Sequence, residues 1–451
     1  MKIKKIKEDV ERFIKKYEKK KKPDNLQKRA KQKDRLKRAS QLLGYDVPET
    51  RKLSITYNKD ERLNEITTPN TEQEELRQEE LIQEITPSIK KNENKTTNQE
   101  IPQTDITIKD ITNYFKLKGV VGEESLCTKI FLAGSNNISF GVEGYSGSGK
   151  TFVVDKLIEL YAEEDLYRLD LSSKMAVFYD SKNINNYKTI YIPELQKALK
   201  ETKSPIVEVV KNLTEGKDVK RIVTDYKKRG NKTFNIKRGK SIIYTLASEN
   251  TYKNDEELNR RFLRFKTNHE ENHLEKILKQ KSLRRQTLIK ESDEELHEKL
   301  KQHFNYLRNK KINTYDPYSE AIIEYLPKTQ KAIGYTEHYY ALLDATTKLN
   351  HKRREKIETQ EQEYIITNIE DHFLVHKLYH QEFLKTLKDF SKRNNNREEV
   401  DEIQHLENKK IDWGKIINKG TIIKRNELGL NENYTEEYIQ ELEQKYAYLT
   451  N

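Results

Sequence analysis

Short apolar runs alternate with amphipathic segments through the middle of this chain. Five of the runs are bounded by polar residues and predict β-strands, at residues 138–144, 166–173, 188–195, 241–248 and 260–265. Between them apolar residues recur at helical spacing, most clearly over 151–164, directly after the first run. Strands that alternate with helices predict the α/β class, with a mainly parallel sheet flanked by helices.

The regions on either side have a different pattern. Residues 106–135 predict two helices joined at Gly119 or Gly122, and from about residue 270 the chain is almost wholly helical and heavily charged. We therefore expect five regions. They are a basic helical tail (1–45), a flexible linker (46–104), an α/β core (105–270), an all-α region (271–390), and a linker with a small helical or winged-helix element (391–451).

The positive charge of the chain is concentrated at its N-terminus. Residues 1–45 contain 18 Lys and Arg against 6 Asp and Glu, which by itself equals the net charge of +12 of all 451 residues. Such a segment either contacts a phosphate backbone or forms a solvated helical tail, and the sequence leaves both open.

Three features of the sequence indicate the cellular compartment of the protein. No apolar segment reaches the roughly eighteen residues of a membrane span. The N-terminus has no uninterrupted apolar core of the kind that a secretory signal needs, and Cys127 is the single cysteine. These features predict a soluble, cytoplasmic protein without membrane contact.

A glycine-rich loop joins the first predicted strand to the helix that follows. Its residues are Gly144, Tyr145, Ser146, Gly147, Ser148, Gly149, Lys150 and Thr151. Glycines at this spacing let several backbone N–H groups point at phosphate oxygens, and the helix adds the positive end of its dipole. Lys150 would reach the β- and γ-phosphates, and the Thr151 hydroxyl would coordinate Mg²⁺. The strand–loop–helix context predicts a site for ATP and Mg²⁺.

An acidic residue ends the predicted strand at 188–195. Glu194 follows an apolar run and Pro193, and it would polarise the water that attacks the γ-phosphate. Such strands usually end in two acids, and Pro193 takes the place of the first. Mg²⁺ would therefore rely on Thr151 and water, or on another acid such as Asp180. The alternative interpretation of Glu194 is a surface charge at a strand end.

Several stretches follow one another in a specific order within residues 106–390. They are SFGVEGYSGSGKTFVVDKL, IYIPELQKA, VEVVKNLTEGKDVKRIVTD, IIYTLASEN and LNRRFLRF, followed by the helical stretch YYALLDATTKLNHKRREKI. Together they resemble the AAA+ P-loop ATPases, and more narrowly the MCM-like replicative helicases and the primase/helicase-type ATPases of archaeal viruses and plasmids. The resemblance implies an AAA+ core, an all-α lid at 271–390, and a homo-oligomeric, hexameric ring that hydrolyses ATP between subunits.

The same resemblance implies further catalytic residues. Ser248 or Asn250 would sense the γ-phosphate, and the sequence does not choose between them. Arg260 and Arg261 would reach the γ-phosphate of a neighbouring subunit as an arginine finger. The alternative for both arginines is a local ion pair with the glutamates at 256–257.

A basic hairpin is predicted before the strand at 241–248. Residues 220–226 and 233–238 are its strands, and KKRGNK forms the turn around Gly230. In MCM-like helicases such a hairpin projects into the central channel, where its basic side chains contact phosphates. The corresponding side chains here are Lys227, Lys228, Arg229 and Lys232. The alternative is an exposed hairpin kept soluble by its lysines.

These predictions converge on an ATP-dependent, ring-forming DNA helicase or translocase that acts in the replication of a viral or plasmid genome. Its partners would be DNA, single-stranded in the channel, further copies of the chain, and a primase or other replication protein. Two alternatives share the ATP site. One is an ATPase that loads or remodels replication proteins, and the other is a DNA-packaging ATPase without unwinding activity.

Overall fold

The computed structural model describes residues 105–449, apart from 171–175, 200–203, 226–229, 248–259, 269–270, 287–292, 330–331, 360–361 and 429–434. The predicted tail (1–45) and linker (46–104) lie outside the described residues. Five of the predicted site residues also lie outside them, namely Ser248, Asn250, Lys227, Lys228 and Arg229.

The described residues form ten strands. They are β1 (Phe140–Gly144), β2 (Leu166–Arg168), β3 (Thr189–Ile192), β4 (Val219–Asp225), β5 (Gly230–Ile236), β6 (Ser241–Ala247), β7 (Leu263–Lys266), β8 (Asn313–Tyr315), β9 (Lys356–Glu358) and β10 (Glu363–Ile366). Five of them pair in parallel in the order β2-β3-β6-β1-β7. Each predicted run contains or overlaps one of these five strands, so the prediction of a mainly parallel sheet is confirmed.

Helices connect the strands and form most of the C-terminal part. They are α1 (Ile108–Leu117), α2 (Glu124–Ser135), α3 (Lys150–Ile158), α4 (Ala176–Tyr179), α5 (Ser181–Ile184), α6 (Gln196–Leu199), α7 (Pro205–Thr214), α8 (Glu271–Gln286), α9 (Glu294–Asn309), α10 (Ser319–Ile322), α11 (Ala332–Leu349), α12 (Ile369–Val375), α13 (Gln381–Arg393), α14 (Arg397–Asn408), α15 (Trp413–Leu428) and α16 (Glu436–Lys445). A π-helical turn, His376–His380, joins α12 to α13. None of these helices in the described part of the chain is long and apolar enough to cross a bilayer.

Alternate side chains of the sheet enter two separate apolar clusters, as the two-residue period of a strand requires. On β6, Ile243 packs on one face with Val142 of β1, whereas Ile242 and Tyr244 pack on the other. The first face is covered by α3, with α1, α2, α9 and α11 in the same cluster. The second face is covered by α4 to α7 and the β4–β5 hairpin. Helices on both faces complete the predicted α/β core.

The region 271–390 is not wholly helical, which corrects the all-α prediction. The strands β8, β9 and β10 form a mixed sheet there, in the order β8-β10-β9. Strands of three or four residues are too short to show an alternating pattern, and these stand among charged helical segments. The helices α11 and α13 pack into the same cluster as α1 and α2. The N-terminal helices and this region therefore share one core.

Candidate nucleotide site

The glycine loop connects the end of β1 to the start of α3. Gly147 and Gly149 each have a φ of 84°, a left-handed conformation that a Cβ atom disfavours. Most of the loop from Tyr145 to Gly149 is exposed, and α3 begins at Lys150. Because the first turn of a helix has N–H groups without intrahelical partners, the loop offers donors and a positive dipole to an anion.

Lys150 is buried at the first position of α3, with 6% of its surface exposed. Its Nζ donates to the carbonyl oxygen of Tyr145 at 2.5 Å. Burial lowers the pKa of Lys150, and the negative charge of Glu194 acts in the opposite direction. The two charges that the sequence predicts separately are therefore near enough to interact electrostatically.

Glu194 is exposed just beyond β3 and has a φ of 56°. A left-handed backbone costs a non-glycine residue roughly 1–2 kcal/mol. Two hydrogen bonds to Thr245 of β6 hold the segment in place. The N–H of Glu194 donates to Thr245 Oγ1 at 3.2 Å, and the N–H of Leu195 donates to the Thr245 carbonyl oxygen at 3.0 Å. Strain that neighbouring groups impose on one residue is a feature of functional sites.

The end of β1 is fixed from both sides. Glu143 is buried immediately before the loop, and Arg264 of β7 donates to its two carboxylate oxygens at 2.5 Å each. Tyr244 of β6 donates to the same carboxylate at 3.4 Å. Beyond β7, Thr267 Oγ1 donates to Ser148 Oγ in the loop at 3.1 Å. These contacts connect the neighbouring strands directly to the loop.

A cavity of about 320 Å³ adjoins the glycine loop. It lies between Gly147–Gly149 of the loop, the segment Gly119–Val121 and the helix α8, where His273 lines it. Glu123 connects these walls, since it accepts a hydrogen bond from the Asn268 N–H at 3.0 Å and lies 3.2 Å from His273 Nε2. The loop could hold phosphates while this cavity receives the remainder of a nucleotide.

The two glycines between α1 and α2 are the part of the sequence that could have indicated this cavity. The helical pattern by itself predicts only a joint between two helices at Gly119 or Gly122. Both glycines have a positive φ, of 90° and 69°, and a Cβ atom on Gly122 would lie 2.5 Å from His273 Nδ1. Gly119 is thus favoured by its backbone conformation, and Gly122 both by its backbone conformation and by the close approach of His273.

The predicted Mg²⁺ ligand, Thr151, is half-buried next to Lys150. Mg²⁺ prefers oxygen ligands and usually keeps several waters beside substrate phosphate oxygens. A single hydroxyl beside a phosphate-binding loop fits that preference. Within the described residues no cluster of three or more His, Cys, Asp or Glu side chains could hold a metal by itself. Asp180 accepts hydrogen bonds from Tyr167 and Asn183.

The two predicted finger arginines have different surroundings. Arg261 donates to the Lys211 carbonyl oxygen and to the Glu215 carboxylate at the end of α7, and 8% of its side chain is exposed. Arg260 is exposed, and a Cβ atom on Gly334 of α11 would lie 2.7 Å from its Cδ. The glutamates at 256–257 lie outside the described residues.

The predicted basic hairpin is formed by β4 and β5. The strands pair antiparallel from Val219–Ile236 to Asp225–Gly230, so Gly230 belongs to β5 rather than to the centre of the turn. Lys232 is exposed, and its Nζ lies 4.9 Å from the centre of the Phe234 ring. The Lys232 ammonium is thus available at the surface of the hairpin.

Comparison with known proteins assigns no family to this chain. No family model matches it, and no curated protein matches it. Among solved structures, one protein from Cytophaga hutchinsonii, whose assignment as an ATPase is provisional, is 13% identical with a TM-score of 0.33. The match covers 66% of this chain and 85% of that one. A likeness at this level carries no argument, so the functional interpretation rests on the residues described above.

Proposed function

We propose that this chain binds and hydrolyses ATP at the carboxyl ends of its parallel strands. The observation that carries the proposal is the buried Lys150 at the end of the glycine loop after β1, near enough to Glu194 after β3 for the carboxylate to raise its pKa. In open parallel sheets ligands bind beyond the carboxyl ends of the strands. A phosphate-binding loop with a buried ammonium and a nearby carboxylate provides three of the groups that recur where a phosphoryl group is transferred to water.

Each of these residues has a distinct task in the proposal. The N–H groups of the loop and the Lys150 ammonium bind the β- and γ-phosphates and neutralise the charge on their oxygens. Glu194 orients the attacking water and accepts its proton. Thr151 is the protein ligand for Mg²⁺, which supplies further charge neutralisation when bound. The cavity beside Gly119–Val121 accommodates the base and ribose.

Calorimetric titration with ATP tests the binding half of this proposal. Replacement of Lys150 by alanine removes the phosphate-binding ammonium and should weaken binding at least about tenfold. Lys182→Ala, at an exposed position of α5, is the matched control and should bind as the wild type does. Unchanged affinity in the Lys150→Ala variant contradicts the proposal.

We further propose that the chain forms a hexameric ring that translocates on DNA, in the replication of a viral or plasmid genome. Two features support this. The hairpin strand β5 is joined to β6 by residues 237–240, and β6 holds Glu194 through Thr245. A change at Glu194 thus has a route to the hairpin through one hydrogen bond to Thr245 and the chain of β6 and residues 237–240. Arg260 is the finger candidate in this proposal, because Arg261 is engaged by α7 of its own chain.

DNA-stimulated ATP hydrolysis tests the role of the hairpin. Reversal of Lys227, Lys228 and Arg229 to glutamate should abolish the stimulation and leave hydrolysis without DNA unchanged. The matched control reverses two exposed lysines of α13, Lys385 and Lys392. Stimulation that survives the hairpin reversal contradicts the channel role and favours an ATPase that loads or remodels replication proteins. Stimulation without strand displacement favours the packaging ATPase.

A further inference from the structure

A second cavity lies at the other end of the central sheet. It is lined by the residues that follow α9 and by the sheet β8-β10-β9, and its volume is about 300 Å³. The end of α9 lies beside the start of β3, since Lys188 Nζ donates to Asn309 Oδ1 at 2.7 Å. This cavity is therefore on the side where the parallel strands begin, whereas the glycine loop follows the end of β1.

The lining of this cavity carries a net positive charge. Lys310, Lys311 and Lys356 line it together with one acid, Glu363. Lys356 lies 3.3 Å from Glu363, and Lys310 donates to the Tyr306 hydroxyl at 2.7 Å. Lys311 is exposed, and among the described residues no acid pairs with it. The cavity thus has more ammonium groups than carboxylates and suits an anion.

A neutral histidine adds a hydrogen-bond acceptor to the same cavity. His351 is buried, with 6% of its surface exposed, and its Nδ1 donates to the Lys348 carbonyl oxygen at 2.9 Å. Burial, together with the charges of Lys310, Lys356 and Lys352, lowers the pKa of His351 to about 4. Since Nδ1 carries the proton of the neutral ring, Nε2 is an acceptor. The ring stacks on Tyr306 at 5.5 Å.

We propose that this cavity binds one nucleotide unit, with its phosphate on the lysines and a sugar or base donor on His351 Nε2. A bare anion would need only the cations, whereas an acceptor among cations suits a ligand that carries both an anion and an N–H or O–H group. The cavity is in the size range of small-ligand pockets. A nucleic-acid strand and a free nucleotide both provide this chemistry. None of these residues belongs to the proposed ATP site.

Lysine footprinting distinguishes the two sources. The full chain carrying Lys150→Ala, which disables the glycine loop, is acetylated with an amine reagent in the presence of a twelve-residue oligothymidylate, dAMP or inorganic phosphate. We expect Lys311 to be protected several-fold, and Lys385 to react equally in all samples. Protection by the oligonucleotide alone identifies a nucleic-acid strand as the ligand, and protection by dAMP identifies a free nucleotide. Protection by inorganic phosphate alone, or by none of the three, overturns the proposal.

Substitution of Lys311, which is exposed, provides a second test, because a change at this position does not disturb core packing. Lys311→Glu should weaken binding of the protecting ligand, and for an oligonucleotide the salt dependence of log K should fall by about 0.7 for each phosphate that the variant no longer neutralises. Lys385→Glu should leave both quantities unchanged. His351→Phe retains an aromatic ring against Tyr306 but removes the Nε2 acceptor together with the Nδ1–H that donates to the Lys348 carbonyl oxygen, so it should weaken the protection of Lys311. Unchanged binding in the Lys311→Glu variant overturns the proposal.

Discussion

At Glu194 the chain adopts a backbone conformation that costs free energy. Its φ of 56° is maintained by Thr245, which accepts the Glu194 N–H and whose carbonyl oxygen accepts the next N–H. The backbone at Glu194 is thus held by β6 as well as by β3, the strand that precedes it. Because the order β3-β6-β1 places β6 between the two halves of the site, one strand sets the position of Glu194 relative to Lys150.

The pKa of Lys150 reports directly on this arrangement. Burial lowers it, and the Glu194 carboxylate raises it. Replacement of Glu194 by glutamine removes the opposing charge, so the pKa of Lys150 should fall below its wild-type value. NMR titration of the chain with isotope-labelled lysine measures this change. Glu163→Gln, at an exposed position after α3, is the control. A Lys150 pKa that is the same in all three proteins would show that the two charges do not interact.

The sequence was informative for the residues of the loop and much less so for those that support it. Lys150 and Glu194 were identifiable because each stands at a fixed place after an apolar strand. Arg264 and Glu143 pair across 121 residues of sequence, and Thr245 and Glu194 across 51. Such contacts arise from strand pairing, which no local pattern encodes. Their roles could be assigned only once the strand order was known.

At the scale of elements, β1 and β6 approach each other closely just before the glycine loop. Tyr244 of β6 packs directly over Gly141 of β1, and a Cβ atom on Gly141 would lie 1.9 Å from the Tyr244 ring. The same tyrosine donates to Glu143 two residues further on. A glycine in a strand interior is otherwise unfavourable, and here it admits the aromatic ring of a neighbouring strand.

Alanine at position 141 should therefore destabilise the fold. The added methyl group forces Tyr244 or β1 to move, and overpacking of this kind costs roughly 1–3 kcal/mol in the free energy of unfolding. Urea denaturation measures the loss. Gly414→Ala in α15, where the nearest atom to a Cβ is 3.4 Å away, should leave stability unchanged or slightly raised. Equal stability of Gly141→Ala and the wild type contradicts this packing of the two strands.

Elements differed in how well the sequence predicted them. The strands β4 and β5 are predictable because each has seven residues, which is long enough to show the residue pattern of a strand between polar segments. The strands β8 and β9 have three residues each, and nothing in NTY or KIE distinguishes a strand from a loop. Such strands are stabilised by tertiary contacts, for example where Ile357 and Ile366 pack with Leu428 of α15.

At the scale of the whole molecule, buried charges connect the last helix to the region around α12. Glu370 accepts hydrogen bonds from Lys445 at 2.6 Å and Tyr446 at 2.7 Å, at the end of α16. Arg354 donates to the same carboxylate at 2.9 Å and to the buried Asp371 at 2.6 Å. The C-terminal helices are thereby attached to the shared core by an ion-pair network as well as by apolar contacts.

This network makes stability depend on pH. Burial alone would raise the pKa of Glu370, but Arg354, Lys445 and Tyr446 stabilise the carboxylate and lower the pKa from 4.5 to about 2. The folded state thus favours the ionised form. The contribution of Glu370 is complete above pH 4.5 and is lost as the pH falls through 2. The shift corresponds to a free energy of unfolding on the order of 3 kcal/mol at neutral pH.

Denaturation of the Glu370→Gln variant at several pH values measures this contribution. The fluorescence of Trp413, whose ring lies 5.4 Å from that of Phe373, reports on the region. The stability difference from the wild type should be largest at neutral pH and decrease as the pH approaches 2. Glu320→Gln, whose side chain is 72% exposed, should show little difference at any pH. A difference in the Glu370→Gln variant that is constant with pH contradicts the account.

The central claim concerns the chemistry at Glu194, and single-turnover hydrolysis of radiolabelled ATP tests it most directly. The Glu194→Gln variant retains the glycine loop and Lys150, so it should bind ATP as the wild type does. Its hydrolysis should be slower by at least about 100-fold, because the acceptor for the proton of the attacking water is lost. Glu163→Gln should hydrolyse ATP at the wild-type rate. Hydrolysis at the wild-type rate by the Glu194→Gln variant would contradict the assignment of Glu194 as the catalytic carboxylate.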